Sequence, residues 1–169
     1  MSAVTIESIW SGSEDEVFSL LGNELERRIT SSRGSPEFVA EIKELPAGLR
    51  AMAATYELDV SLALDDLGWH FGNWHNLELA EETAAGLEEL GAQELAEIFG
   101  AAFNHAQDYW MELGAENWME WYHGSALEKA VAPLNHKAWA ILKQRKNGIF
   151  SYWVEYARKY PQRVGARTA

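Results

Sequence analysis

Along most of the chain apolar residues recur every three or four positions, the spacing that lines one face of an α-helix. The first run, Val17, Leu20, Leu21, Leu25 and Ile29, follows a capping box in which Glu16 stands three residues after Ser13. TSSRGS ends it, and Ser35-Pro36 opens a short helix carrying Phe38, Val39, Ile42 and Leu45, with proline at the first helical position. Pro46 begins a longer helix with Leu49, Met52, Ala53, Tyr56, Val60 and Leu64 on one face, expected to end near Gly68. Asn76 is placed to cap the next, whose apolar face is Ala80, Thr83, Ala84, Leu87 and Leu90 and whose stop is Gly91. From Leu95 through Phe99, Phe103, Ala106 and Trp110 to Leu113 the same spacing predicts one helix running to Gly114.

A short aromatic segment, ENWMEWYH, precedes a second capping box formed by Ser125 and Glu128. Pro133 is expected to split the helix that follows. Lys146-Asn147-Gly148 reads as a turn, and a last helix runs from Ile149 to Tyr160, where Pro161 halts it. The remaining QRVGARTA, residues 162–169, reads as a frayed tail. Only Val4 to Trp10 approaches the two-residue alternation of a strand. With no repeat and no break in composition, the expectation is one all-α domain over residues 1–169, a bundle of about seven to eight helices.

Composition adds limits to this picture. At 169 residues, one core can bury roughly two-thirds of the unfolded surface. Apolar residues are 47% of the chain, with Leu, Ala and Trp ahead of Val and Ile, a balance that favours helix. No apolar run approaches the ~20 residues of a membrane span. The N-terminal stretch lacks a basic region before an apolar one, and there are no cysteines, so a cytoplasmic setting without disulfides or thiolate chemistry is expected.

Charge changes the picture most. Residues 1–50 hold nine acids and five bases, and residues 129–169 hold one acid, Glu155, and nine bases. Residues 51–128 hold sixteen acids and no Lys or Arg. Counter-charges for that segment are expected from the C-terminal part of the chain or from another molecule.

Metal binding is poorly served by the five histidines, His70, His75, His105, His123 and His136. His70 and His75 are five apart rather than at the i, i+4 spacing of a helical ligand pair. His105 falls on a polar helical row with Glu94, Glu97, Asp108 and Glu112, where it is expected to pair with Asp108. No nucleophile elbow, phosphate loop or dinucleotide fingerprint is present. The acid pairs at 65–66, 81–82 and 88–89 are of a kind that solvated helices carry routinely. No catalytic residue, cofactor or metal is therefore expected. Five of the eight tryptophans lie in the stretch without Lys or Arg, so they cannot act as stacking platforms beside basic residues, and direct nucleic-acid binding is not expected.

The densest cluster is LDDLGWHFGNWHN. Gly68 is suited to a left-handed helix end, Trp69 and Trp74 to anchoring a turn in the core, and Asn76 to capping. Asp66, Gly68, Trp69, His70, Trp74, His75 and Asn76 are thus expected to form a structural elbow between two helices. Lining of a ligand pocket by His70 and His75 is the alternative.

From Tyr56 to Phe103 the chain is similar to the family of the C-terminal domain of a bacterial DNA-mimic protein. The similarity rests on the elbow, on the helix and stop LAEETAAGLEELGAQELAEIF and, more loosely, on the closing YWVEYARKYPQ. Asp65, Asp66 and Leu67 stand where that family has asparagines and a first glycine. The resemblance implies an all-α bundle and, from the characterised relative, an acidic face that engages a DNA-binding protein. On the helix after the elbow, Glu78, Glu81, Glu82, Glu88 and Glu89 fall opposite the apolar face, and Glu94 and Glu97 extend the acidic surface. Two such rows place on the order of one charge per 3 Å of helix, against one per ~1.7 Å of duplex DNA. Two functional readings lead, with an enzyme or metal-binding protein that uses the His/Trp elbow standing third. Either those seven glutamates bind a basic, DNA-binding partner protein, or acidic and basic segments satisfy one another within a chain or across a homodimer.

Overall fold

The structure, a computed structural model, describes residues 4–168. Eleven α-helices follow one another along the described residues: α1 (Ile6–Ser11), α2 (Glu14–Arg28), α3 (Pro36–Lys43), α4 (Ala47–Leu64), α5 (Leu67–Asn73), α6 (Leu77–Glu89), α7 (Gln93–Gln107), α8 (Trp110–Leu113), α9 (Trp118–Tyr122), α10 (Ala126–Lys143) and α11 (Phe150–Lys159). A 3-10 helix at Pro161–Val164 closes the chain. Eight of the helices have seven residues or more, so the all-α bundle holds.

Their N-termini are set by side chains. Thr5, Ser13, Ser35, Asp66, Asn76 and Ser125 each sit in extended backbone and accept the amide of the third helical residue. Such a bond satisfies a donor that the helix cannot, worth about 1 kcal/mol apiece.

Helix α4 is the centre. It packs on α6 along its length and also meets α2, α3, α5, α10, α11 and the 3-10 helix. Small residues permit this, because Ala51 and Ala54 present little bulk where Gly86 and Thr83 of α6 approach. At Gly86 an added Cβ would come 3.0 Å from the Ala51 carbonyl oxygen. Thr83 of α6 then donates its hydroxyl to the Ala54 carbonyl, 2.9 Å, tying the two helices. A second layer forms where α7 packs on α6, α5 and α10.

Four expected boundaries differ. Most of residues 4–10 lies in α1 (Ile6–Ser11), capped by Thr5, rather than in a strand, and the only pairing there among the described residues is an isolated bridge between Thr5 and Arg167. The long helix through Val60 stops at Leu64, and Gly68 lies inside the separate α5. The run from Leu95 to Gly114 breaks at Asp108-Tyr109, which lets the Trp110 ring turn under His75, with centroids 4.4 Å apart. Pro133 does not split α10. Both Pro133 and Lys129 are exposed, so the Lys129 carbonyl that loses its amide partner stays open to water.

The end of the chain is also ordered rather than frayed. Pro161 and Val164 are buried, and Gly165 turns the backbone at φ 72°. Arg167 accepts the Ile6 amide and donates to the Val4 carbonyl, each at 3.1 Å. Residue 169 and residues 1–3 lie outside the described residues.

Candidate functional site: an acidic surface beside a structural elbow

The elbow contains a helix of its own. Asp66 accepts the Trp69 amide at 2.9 Å, capping α5, and both its carboxylate oxygens accept the Tyr122 hydroxyl at 3.0 Å. Burial and the Asp66 charge together push the Tyr122 phenol far up, so it stays a donor. The Leu67 amide donates to Asn135 of α10, 3.0 Å. Gly68 takes ordinary helical backbone, which corrects the expected left-handed end. Its missing side chain is required by the Tyr122 ring and hydroxyl, which lie directly against its Cα. Gly72 is covered in the same way by Trp118.

Trp69 is half-buried, edge-on to Trp118 at 4.9 Å. Trp74 lies over Gly34, and Asn76 caps α6 while donating to the Gly34 carbonyl, 3.2 Å. The two histidines part company. His70 is 2% exposed, with Nδ1 2.9 Å from the Ser61 hydroxyl and its ring edge-on to Phe71 and Phe99. His75 is exposed, stacks on Trp110 and donates Nε2–H to the Trp110 carbonyl, 2.8 Å. They therefore do not converge on one ligand. Among the described residues no three His, Asp or Glu side chains gather as metal ligands.

Burial holds the His70 imidazole neutral, with its pKa pushed down to about 3 from 6.5. In the unfolded chain it takes a proton below about 6.5, whereas in the folded protein it takes none until about pH 3. The unfolded state binds the extra proton in between, so this stabilisation is complete above 6.5 and drains away as pH falls through the window. Stability should fall by about 1.4 kcal/mol per pH unit below pH 6, less any offset from Glu57 and Asp59, whose pKa values burial raises. Urea titrations at pH 6.5, 5.5 and 5.0 measure it. A His70→Gln protein should lose that slope, and an unchanged slope would show that His70 is not its source.

The sixteen carboxylates of residues 51–128 divide into two groups. Glu82 is 9% exposed and held by Arg50 through two bonds of 2.6 Å. Glu89 accepts Arg163 at 2.6 Å and also the Tyr156 hydroxyl, whose pKa burial pushes up to about 12. Glu57 pairs with Arg33 and Glu78 with Lys43, each at 3.1 Å. Asp59 accepts the Ile149 amide at 2.7 Å, Asp66 caps α5, and Glu128 takes the Gly124 amide and faces His123 at 3.6 Å. The remaining nine, among them Glu81, Glu88, Glu94 and Glu97, are exposed and form no ion pair among the described residues. His105 is exposed and likewise forms none with Asp108.

This division corrects the expected acidic face. Glu78, Glu82 and Glu89 are already neutralised, which leaves Glu81 and Glu88 free on α6, about one charge per 10 Å of helix. It also corrects the source of the counter-charges. Among the described residues, three of the four ion pairs that Lys or Arg makes with this segment come from Arg33, Lys43 and Arg50, ahead of it, and one, from Arg163, comes from the C-terminal part. Arg145 is spent on Glu155 and Lys146 faces Asp15 at 3.7 Å.

Next to Glu89 the surface opens into a cleft of about 910 Å³, between the α6–α7 corner, the end of α10 and α11. Tyr152, Tyr156 and Tyr160 line one wall and Glu88, Glu89 and Glu94 the other. Sequence spacing could not reveal it, because its walls are about 60 residues apart in the chain.

These features define an all-α protein with a packed elbow, exposed carboxylates on α6, α7 and the segment that follows, and a cleft beside Glu88 and Glu94. No helix is long and apolar enough to cross a membrane. No family model, no curated protein and no solved structure matches the chain.

Proposed function

We propose that the protein is a binding module whose exposed carboxylates on α6 and α7, continuing through Glu112, Glu116 and Glu120, engage a basic partner protein in the cytoplasm. Nine exposed carboxylates that form no ion pair among the described residues, within a stretch that contains no Lys or Arg, carry this reading. Such a surface favours a cationic partner and speeds its encounter. The resemblance to the DNA-mimic family supports a DNA-binding protein as that partner, with duplex DNA competing for it. The wide spacing of the free charges supports electrostatic attraction more than a copy of the phosphate ladder.

An architectural reading draws support from the pairs Arg50–Glu82 and Arg163–Glu89, which use part of the acidic segment to fasten the fold. A four-residue variant, Glu81→Gln, Glu88→Gln, Glu94→Gln and Glu97→Gln, separates the two. It should melt within a few degrees of the parent and keep its mass in sedimentation, because none of the four is paired. Capture of the partner from lysate of the source cell, identified by mass spectrometry, should fall by about tenfold and should weaken in the parent as salt rises. Glu82→Gln should instead cost about 2 kcal/mol by leaving Arg50 without its carboxylate. Undiminished capture by the four-residue variant, or a halved mass, would defeat the binding reading.

A further inference from the structure

We propose that the cleft between the α6–α7 corner and α11 is a receptor for an arginine side chain of the partner; the inference rests on the binding reading above and names where its specificity lies. The chain displays the relevant chemistry twice at this cleft with its own residues. The Arg145 guanidinium lies 3.5 Å above the centre of the Tyr152 ring while bonding Glu155. Arg163 bonds Glu89 at 2.6 Å with its guanidinium carbon 5.4 Å from the Tyr160 ring. In both, a guanidinium meets a tyrosine face and a carboxylate. A planar cation suits that combination, because it stacks on the ring and bonds the carboxylate edge-on.

What the cleft leaves unanswered is a pair of carboxylates across from those tyrosines. Glu88 and Glu94 stand on either side of the turn at Gly91, both exposed, and neither joins an ion pair among the described residues. Above that turn the space is open, since nothing lies within 4 Å of where a Gly91 Cβ would be. Lys159 is the lining cation without a salt bridge among the described residues, and two free carboxylates outnumber it. The volume, about 910 Å³, exceeds one side chain and admits a short segment of backbone with it. Glu89, already held by Arg163 and Tyr156, anchors the wall rather than serving as a ligand.

The probe is a fluorescently labelled tri-arginine peptide, followed by anisotropy at about 50 mM salt, with tri-citrulline and tri-lysine as comparators. The parent should bind tri-arginine at least about tenfold more tightly than tri-citrulline, the neutral isostere, and severalfold more tightly than tri-lysine. Glu88→Gln with Glu94→Gln should weaken tri-arginine by about tenfold, while Glu97→Gln with Glu112→Gln, removing equal charge further along the surface, should weaken it by about threefold or less. Circular dichroism melts check that both variants stay folded. Equal weakening by the two double variants would overturn the cleft and leave the acidic-surface reading standing. A parent that ignores tri-arginine yet captures its partner in a salt-sensitive way would do the same. Failure of both peptide binding and partner capture would remove the two together.

Discussion

Gly68→Val is expected to cost about 3 to 4 kcal/mol, among the largest single-residue effects in this protein. Gly68 sits in α5 with helical backbone, so the cost does not come from its dihedral angles. It comes from Tyr122, a fully buried ring whose hydroxyl and edge occupy the place a Cβ would need. To admit valine the ring must withdraw, and its two bonds to Asp66 go with it. Asp66 would keep its capping bond to Trp69 but would lose the element that holds α9 against the elbow. Gly100→Ala supplies the contrast. Nothing lies within 4 Å of its added Cβ, and alanine in mid-helix should stabilise by about 0.5 to 1 kcal/mol. Chemical denaturation of the two variants measures the difference. A Gly68→Val protein as stable as the parent would show that Tyr122 is not the fixed wall described here.

Trp153→Ala is expected to cost about 3 to 5 kcal/mol, the range for emptying a large buried aromatic site. The ring has no exposed surface and fills the space among α2, α4 and α11, with Phe150 at 4.9 Å, Phe18 at 5.8 Å and Tyr56 at 6.2 Å. Its indole N–H donates to the Thr55 hydroxyl at 3.0 Å, and that hydroxyl donates onward to the Ala51 carbonyl at 2.9 Å. Phenylalanine at 153 should be milder, about 1 to 2 kcal/mol, because Thr55 keeps the Ala51 carbonyl and most of the ring volume remains. Removing residues 162–169 should also destabilise, through Val164, Arg163 and the Thr5–Arg167 bridge. Near-ultraviolet dichroism and dye binding by exposed apolar surface follow all three. If the shortened chain matched the parent in stability, the C-terminal segment would be an accessory after all.

The helices were legible where their determinants are local. Ser13, Ser35, Asn76 and Ser125 each lie three residues from the amide they accept, so cap and helix can be read within one turn of chain. The same holds for Gly91 and Gly148, whose positive φ marks the turns expected there. Helix α5 was not legible, because LGWHFGN carries two glycines that read as a turn until Tyr122 and Trp118 are seen lying on them. The closing segment misled for a related reason. Nothing near Val164 in sequence shows that it is buried, or that Arg167 meets Thr5 at the far end of the chain.

Charge followed the same division. The sequence by itself determined the all-helical fold, the excess of carboxylates in residues 51–128 and the absence of bases there to answer them. Which carboxylates remain free was decided only when the helices packed. Arg50 reaches Glu82 across 32 residues because α4 lies on α6, and Arg163 reaches Glu89 across 74 because the 3-10 helix closes on α4. Composition is additive along a chain, whereas an ion pair depends on a distance of about 3 Å between side chains, and only the tertiary fold sets that distance.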